Sequence, residues 1–95
     1  MSPSSERTVR LPADLHARPA GQLSRIAAGF SSRPITLAAG DKEVDARSVL
    51  LVMSLGATRG THVTVRAEGE DADRAVQALA DLLAAVEPLD APAPS

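Results

Sequence analysis

His16 carries the most chemistry of any residue in this chain: it stands two positions before Arg18 and three before Pro19, in the stretch DLHARPA. Apolar spacing predicts a helix beginning near residue 17. His16 then falls just before or at its first turn, with Pro19 close to the first or second helical position, where a missing N–H is harmless. The first main-chain N–H groups of a helix have no intrahelical partner and sit at the positive end of the dipole. Such an end attracts anions and disfavours an imidazolium, which leaves a neutral imidazole with a nucleophilic lone pair. Arg18 adds a planar fork of donors suited to phosphate oxygens. A nucleophile and an anion cradle thus come from one short segment. Taken alone, a histidine and an arginine at a helix start are more often a polar cap residue and a solvated charge. Yet a cation in the first turn opposes the dipole, and a bound phosphate would justify it.

The elements that must hold this segment alternate in period. Residues 8–11 read as a short strand with Val9 and Leu11 inward and Arg10 outward, ended by Pro12. In the helix of residues 17–30, Ala20, Leu23, Ile26, Ala27 and Phe30 share one face, opposite Gln22, Ser24 and Arg25. Residues 35–38 alternate as a strand, Gly40 and Asp41 offer hairpin chemistry, and residues 42–46 return. RSVLLVMSLG, at residues 47–56, predicts one or two helical turns, with Ser48 as cap and Gly56 as a left-handed stop. Residues 61–67 alternate with Val63, Val65 and Ala67 inward. After the turn EGED, Ala75, Val76, Leu79, Leu82, Leu83 and Val86 form a stripe, with Asp71 as N-cap and Asp73 in the first turn.

The predicted order is βαββαβα. Strands with one apolar and one polar face suit a four-stranded antiparallel sheet covered by helices on one side, an open-faced α/β (α+β) sandwich. Arg10, Thr36, His62, Thr64 and Arg66 belong on the wet face. Pro, Ser and Ala dominate residues 1–6 and 88–95, which are expected to be disordered tails around a domain of residues 7–87.

Composition excludes several classes. With 95 residues there is room for one domain with a small core. A net charge of −2 with scattered arginines argues against nucleic acid, and Phe30 as the only aromatic residue cannot build a base-stacking platform. The absence of cysteine excludes disulfides and thiolate metal sites and fits a reducing compartment. No apolar run is long enough for a signal peptide or a membrane span, so a cytoplasmic protein is expected. His62 faces outward on its strand, and with His16 it lacks the third ligand a metal site needs. Met53 and Phe30 read as core or core-edge filling. No phosphate-binding GxxxxGK[ST] motif is present and the acidic residues are dispersed, so neither a nucleotide nor a magnesium cofactor is expected.

LHARPA at residues 15–20 resembles the phosphorylation-site motif of the HPr family, histidine-containing phosphocarriers of the bacterial phosphoenolpyruvate-dependent sugar phosphotransferase system. RSVLLVMSLG resembles that family's second signature, around a regulatory serine. The separation of the two motifs and the element order also fit, so the resemblance covers residues 7–87.

That resemblance implies that His16 is phosphorylated on Nδ1 by Enzyme I and passes the phosphoryl group to a histidine of an enzyme IIA component, with Arg18 stabilising the phosphate. The chain would be a stoichiometric carrier, not an enzyme in its own right, and is expected to be a monomer without membrane insertion. Ser48 matches the serine that a dedicated kinase modifies in some bacteria. Val49 and Leu50, with the exposed part of the first helix around Ala20, Leu23 and Ala27, match the partner-docking surface. The chain departs from the pattern at two places. Asp14 stands where glycine is usual, and its charge either tunes phosphoryl transfer or points away. Leu51 replaces a common glycine and enlarges the apolar patch after Ser48.

Other readings give different expectations. A regulatory interaction protein of this fold would act through Ser48, but such paralogues tend to lose the histidine. A carrier could also serve a nitrogen-linked or dihydroxyacetone-kinase branch. A small-molecule sensor with a similar element order would need a glycine-rich ligand loop, and PADLHARP is not one.

Overall fold

The periodicities resolve into seven elements in the expected order: β1 (Ser4–Arg10), α1 (Ala17–Ala28), β2 (Ile35–Ala39), β3 (Lys42–Asp45), α2 (Val49–Ser54), β4 (His62–Glu68) and α3 (Ala72–Ala84). The computed structural model describes residues 3–88, so residues 1–2 and 89–95 of the two expected tails lie outside the described residues. The four strands form one antiparallel sheet in the order β1-β4-β2-β3.

Strand register aligns the apolar positions into one inner face. Val9 lies opposite Val63, Leu37 lies opposite both Val65 and Val44, and Ile35 lies opposite Ala67. Against this face pack the apolar stripes of the helices, Ala20, Leu23 and Ala27 from α1, Val52 from α2, and Ala75, Val76, Leu79 and Leu83 from α3. Leu23, Leu37, Val63, Val65, Leu79 and Leu83 are completely buried. Each such side chain contributes about 1.5–3 kcal/mol by leaving water. Small alanines on both the helices and the sheet let the two layers approach closely, so an aliphatic core suffices without large aromatics.

The outer face of the sheet is a polar lattice. The Thr8 and Thr64 hydroxyls are hydrogen-bonded at 2.9 Å across β1 and β4. Arg66 reaches Glu6 on β1 at 2.8 Å and Glu43 on β3 at 3.3 Å, while the Thr36 hydroxyl donates to the same Glu43 carboxylate. These pairs are exposed and add little to stability, but as cross-strand pairs they favour this register over others.

Three expectations about the elements are corrected, and a fourth is met in position but not in its side-chain bond. β1 begins at Ser4, so residues 4–6 are not tail: Ser4, Ser5 and Glu6 pair with Glu68, Ala67 and Arg66. Strand pairing is a main-chain interaction, and the length of β4 recruits these polar residues without any apolar pattern. Ser24 is buried on α1 rather than facing solvent, and its hydroxyl has no hydrogen-bond partner among the described residues. Met53 is exposed instead of filling the core. Asp71 stands at the N-cap of α3, but its side chain makes no cap hydrogen bond there.

That carboxylate turns to the loop after α1. Asp71 accepts hydrogen bonds from the N–H of Ser31 at 2.8 Å and of Ser32 at 2.9 Å, and from both serine hydroxyls. The bonds stabilise its charged form, led by the Ser32 hydroxyl, and hold its pKa down at about 2. Gly69, just before, has φ +135° and lies so close to Ser32 that a Cβ would stand 2.9 Å from the Ser32 Cα. Glycine is therefore required where the β4–α3 turn meets the α1–β2 loop.

Candidate functional site

The chain leaves β1 at Arg10 and reaches α1 through residues 11–16, and this connection is laced to the loop between α2 and β4. Leu11 N–H donates to the Thr61 carbonyl at 2.9 Å, Gly60 N–H to the Leu11 carbonyl at 2.8 Å, and Leu15 N–H to the Ala57 carbonyl at 3.0 Å. Leu11, Ala13 and Leu15 are buried, anchoring alternate residues in the core while Pro12 and Asp14 face out. The Asp14 carboxylate accepts the Arg59 N–H at 2.8 Å. Its direction is thereby settled: it points to the neighbouring loop.

His16 is the N-cap of α1, with extended backbone and no side-chain cap bond. Its ring is free for other work. Nε2 lies 3.2 Å from the main-chain oxygen of Glu87, just beyond α3. A carbonyl can only accept, so the contact requires the hydrogen on Nε2 and leaves Nδ1 as the unprotonated nitrogen of the neutral ring. Nothing in the sequence marked Glu87 for this contact, because its side chain takes no part.

Counting from this cap, Pro19 is the third helical residue, one or two positions later than expected. The consequence is small. Ala20 N–H donates to the His16 carbonyl at 3.1 Å as the first helical bond, and proline supplies no N–H, so within the first turn the N–H groups of Ala17 and Arg18 remain for a ligand. No acidic residue lies in this first turn. Arg18 is exposed, and its guanidinium makes no hydrogen bond or ion pair among the described residues. The combination is an imidazole, main-chain N–H groups without an intrahelical partner and a free guanidinium at one helix end.

Ser48 caps α2 as expected, its Oγ accepting the Leu51 N–H at 3.2 Å. Gly56 follows the helix with φ +61°, the predicted left-handed stop. No hydrogen bond links Ser48 to His16 or Arg18, although α1 and α2 pack side by side. The expected docking surface divides in two. Leu50 is 82% exposed and Val49, Leu51 and Met53 are also open to solvent, forming an apolar patch on α2. Ala20, Leu23 and Ala27 are each 0% exposed and cannot touch a partner. They lie on the stripe that α1 buries in the core, and a twelve-residue helix cannot offer one stripe to both core and partner. Among the described residues there is no cluster of metal-ligating side chains, and His62 is simply exposed on β4.

An open-faced sandwich with a solitary, tautomer-defined histidine at the mouth of its first helix is the layout of a small histidine phosphocarrier domain. Comparison with known proteins makes the class specific. A family profile described as the PTS HPr component phosphorylation site matches residues 3–85. The phosphocarrier protein HPr of Mycoplasma capricolum is 45% identical over 65 residues, covering 68% of this chain and 72% of that protein. The HPr of Haemophilus influenzae is 41% identical over 73 residues, covering 77% and 85% respectively. A crystal structure of HPr from Bacillus anthracis superimposes with a TM-score of 0.77 at 33% identity, covering 84% of this chain and 96% of that one. The chain belongs to the HPr family of phosphocarriers of the phosphotransferase system.

Proposed function

We propose that His16 is the phosphoryl acceptor of this chain, loaded on Nδ1 by phospho-Enzyme I and unloaded onto a histidine of an enzyme IIA component. The observation that carries this reading is the contact between His16 Nε2 and the Glu87 carbonyl, which leaves the lone pair on Nδ1. That lone pair attacks phosphorus as the N–P bond of the donor breaks, so one N–P bond replaces another and the imidazole keeps its Nε2 hydrogen throughout. Arg18 and the N–H groups of Ala17 and Arg18 stabilise the charge on the phosphoryl oxygens. Because these donors stand at an exposed helix end, the phosphohistidine remains accessible to the next acceptor.

The chain acts as a stoichiometric cytoplasmic carrier, and catalysis is divided with its partners. Val49 and Leu50, extended by Leu51 and Met53, form the apolar part of the docking surface in place of the buried residues of α1. Ser48 borders that patch, and its phosphorylation by a serine kinase would add charge at the patch and lower partner affinity.

The test is incubation with purified Enzyme I and labelled phosphoenolpyruvate. Wild-type protein should acquire acid-labile, alkali-stable label that is absent from His16→Ala. No label, or label that survives the substitution, overturns the reading.

A further inference from the structure

We infer that Asp14 is a positioning residue for phosphoryl transfer, setting the position of His16 by clamping the loop before it to the loop between α2 and β4. The inference rests on the assignment of His16 as acceptor and adds a residue to it. Main-chain bonds tie this connection at its two ends, through Leu11 with Thr61 and Gly60, and through Leu15 with Ala57. Between them Pro12 has no N–H to give, and neither Ala13 nor Asp14 makes a main-chain hydrogen bond among the described residues, so the main chain leaves the middle unfastened. Asp14 does so with its side chain, accepting the Arg59 N–H at 2.8 Å across 45 positions of sequence.

The group it grips is itself held in place. Arg59 lies inside a tight turn in which Thr58 N–H donates to the Thr61 hydroxyl at 3.1 Å and Thr61 N–H donates to the Thr58 carbonyl at 2.9 Å. Gly60 completes that turn at φ +89°. The clamp therefore joins the His16 loop to a rigid partner. With Leu15 and Asp14 fastened to residues 57 and 59, and the ring fastened at Nε2 to Glu87, His16 is fixed from three directions. In-line attack by Nδ1 depends steeply on the placement of the ring, so freedom returned to the loop is lost from the transfer step.

The alternative role of a carboxylate here is electrostatic, through repulsion of the phosphoryl oxygens. The two roles separate in Asp14→Asn, which keeps an oxygen acceptor for Arg59 N–H and removes the charge. Wild type, Asp14→Asn and Asp14→Gly are compared in two measurements: initial rates of transfer from phospho-Enzyme I over a range of carrier concentrations, and amide hydrogen exchange at Leu15 and Arg59. Asp14→Gly should lower the limiting rate roughly three- to ten-fold with KM within about two-fold, and should speed exchange at both amides. Asp14→Asn should restore both readouts to within about two-fold of wild type. Equal rates and equal exchange in all three proteins, or an Asn variant as slow as the Gly variant, overturn the clamp. Failure of the wild type to accept phosphate overturns the His16 assignment instead, and the exchange measurement reports on the clamp independently of that result.

Discussion

His16 and Glu87, 71 positions apart, meet at 3.2 Å between a ring nitrogen and a main-chain oxygen, so the segment just beyond the last helix defines the tautomer of a residue at the start of the first. The relationship gives a spectroscopic expectation. In protein labelled with nitrogen-15, neutral His16 should show the Nε2–H tautomer, and a dominant Nδ1–H form would contradict the assigned geometry. Because the bond is exposed, His16→Ala should change unfolding free energy by less than about 0.5 kcal/mol.

Acid stability should follow Asp71. Its pKa is held at about 2 in the folded protein, below the ordinary carboxylate value of 3.8, chiefly by the Ser32 hydroxyl and the Ser31 N–H. A lowered folded pKa means that the contribution is present above about pH 4 and is lost as pH falls towards about 2. Urea midpoints measured through this window should fall more steeply for wild type than for Asp71→Asn, whose amide does not titrate. Parallel curves would show that the two serines do not discriminate the charged form.

Gly69→Ala should destabilise by about 2–3 kcal/mol, through both its backbone conformation and the approach to Ser32. The new Cβ would stand 2.8 Å from the Ser32 Oγ and would push apart the contact that Asp71 depends on. Denaturant unfolding measures the loss, and a change under about 0.5 kcal/mol would show that the turn relaxes freely.

Ser24→Ala should act in the opposite direction. Its hydroxyl is buried on α1 without a partner, so removing it deletes an uncompensated desolvation penalty and adds helix propensity, a gain of about 1 kcal/mol. A lowered thermal midpoint would contradict this.

Leu50→Ala should separate stability from recognition. At 82% exposure the side chain contributes little to the fold, and unfolding free energy should move by less than about 0.5 kcal/mol. If α2 is the docking patch, KM for transfer from Enzyme I should rise about ten-fold, the cost of truncating a central apolar contact. An unchanged KM would remove Leu50 from the interface.

The order of elements and the inward residues of most of them were legible in the sequence. A stripe such as Leu79, Leu82 and Leu83, or an alternation such as Val63, Val65 and Ala67, is a local consequence of helix and strand geometry. Ser48 as a cap and Gly56 as a stop were legible for the same reason, since a cap acts within one turn. His16 and Arg18 could be singled out because nucleophile and anion site share one short segment.

What the sequence alone determined, then, was what lies within a few residues of itself: periodicity, caps, turns and the chemistry of DLHARPA. Tertiary structure alone decided which distant groups meet. It brought the Glu87 carbonyl to His16, turned Asp71 from its own helix to Ser31 and Ser32, directed Asp14 to Arg59, and buried Ala20, Leu23 and Ala27. The physical reason is that a main-chain carbonyl looks alike at every position, and a carboxylate can satisfy its oxygens with any donor that packing brings near. Only the docking of helices on the sheet, driven by burial of the aliphatic core, selects among those partners.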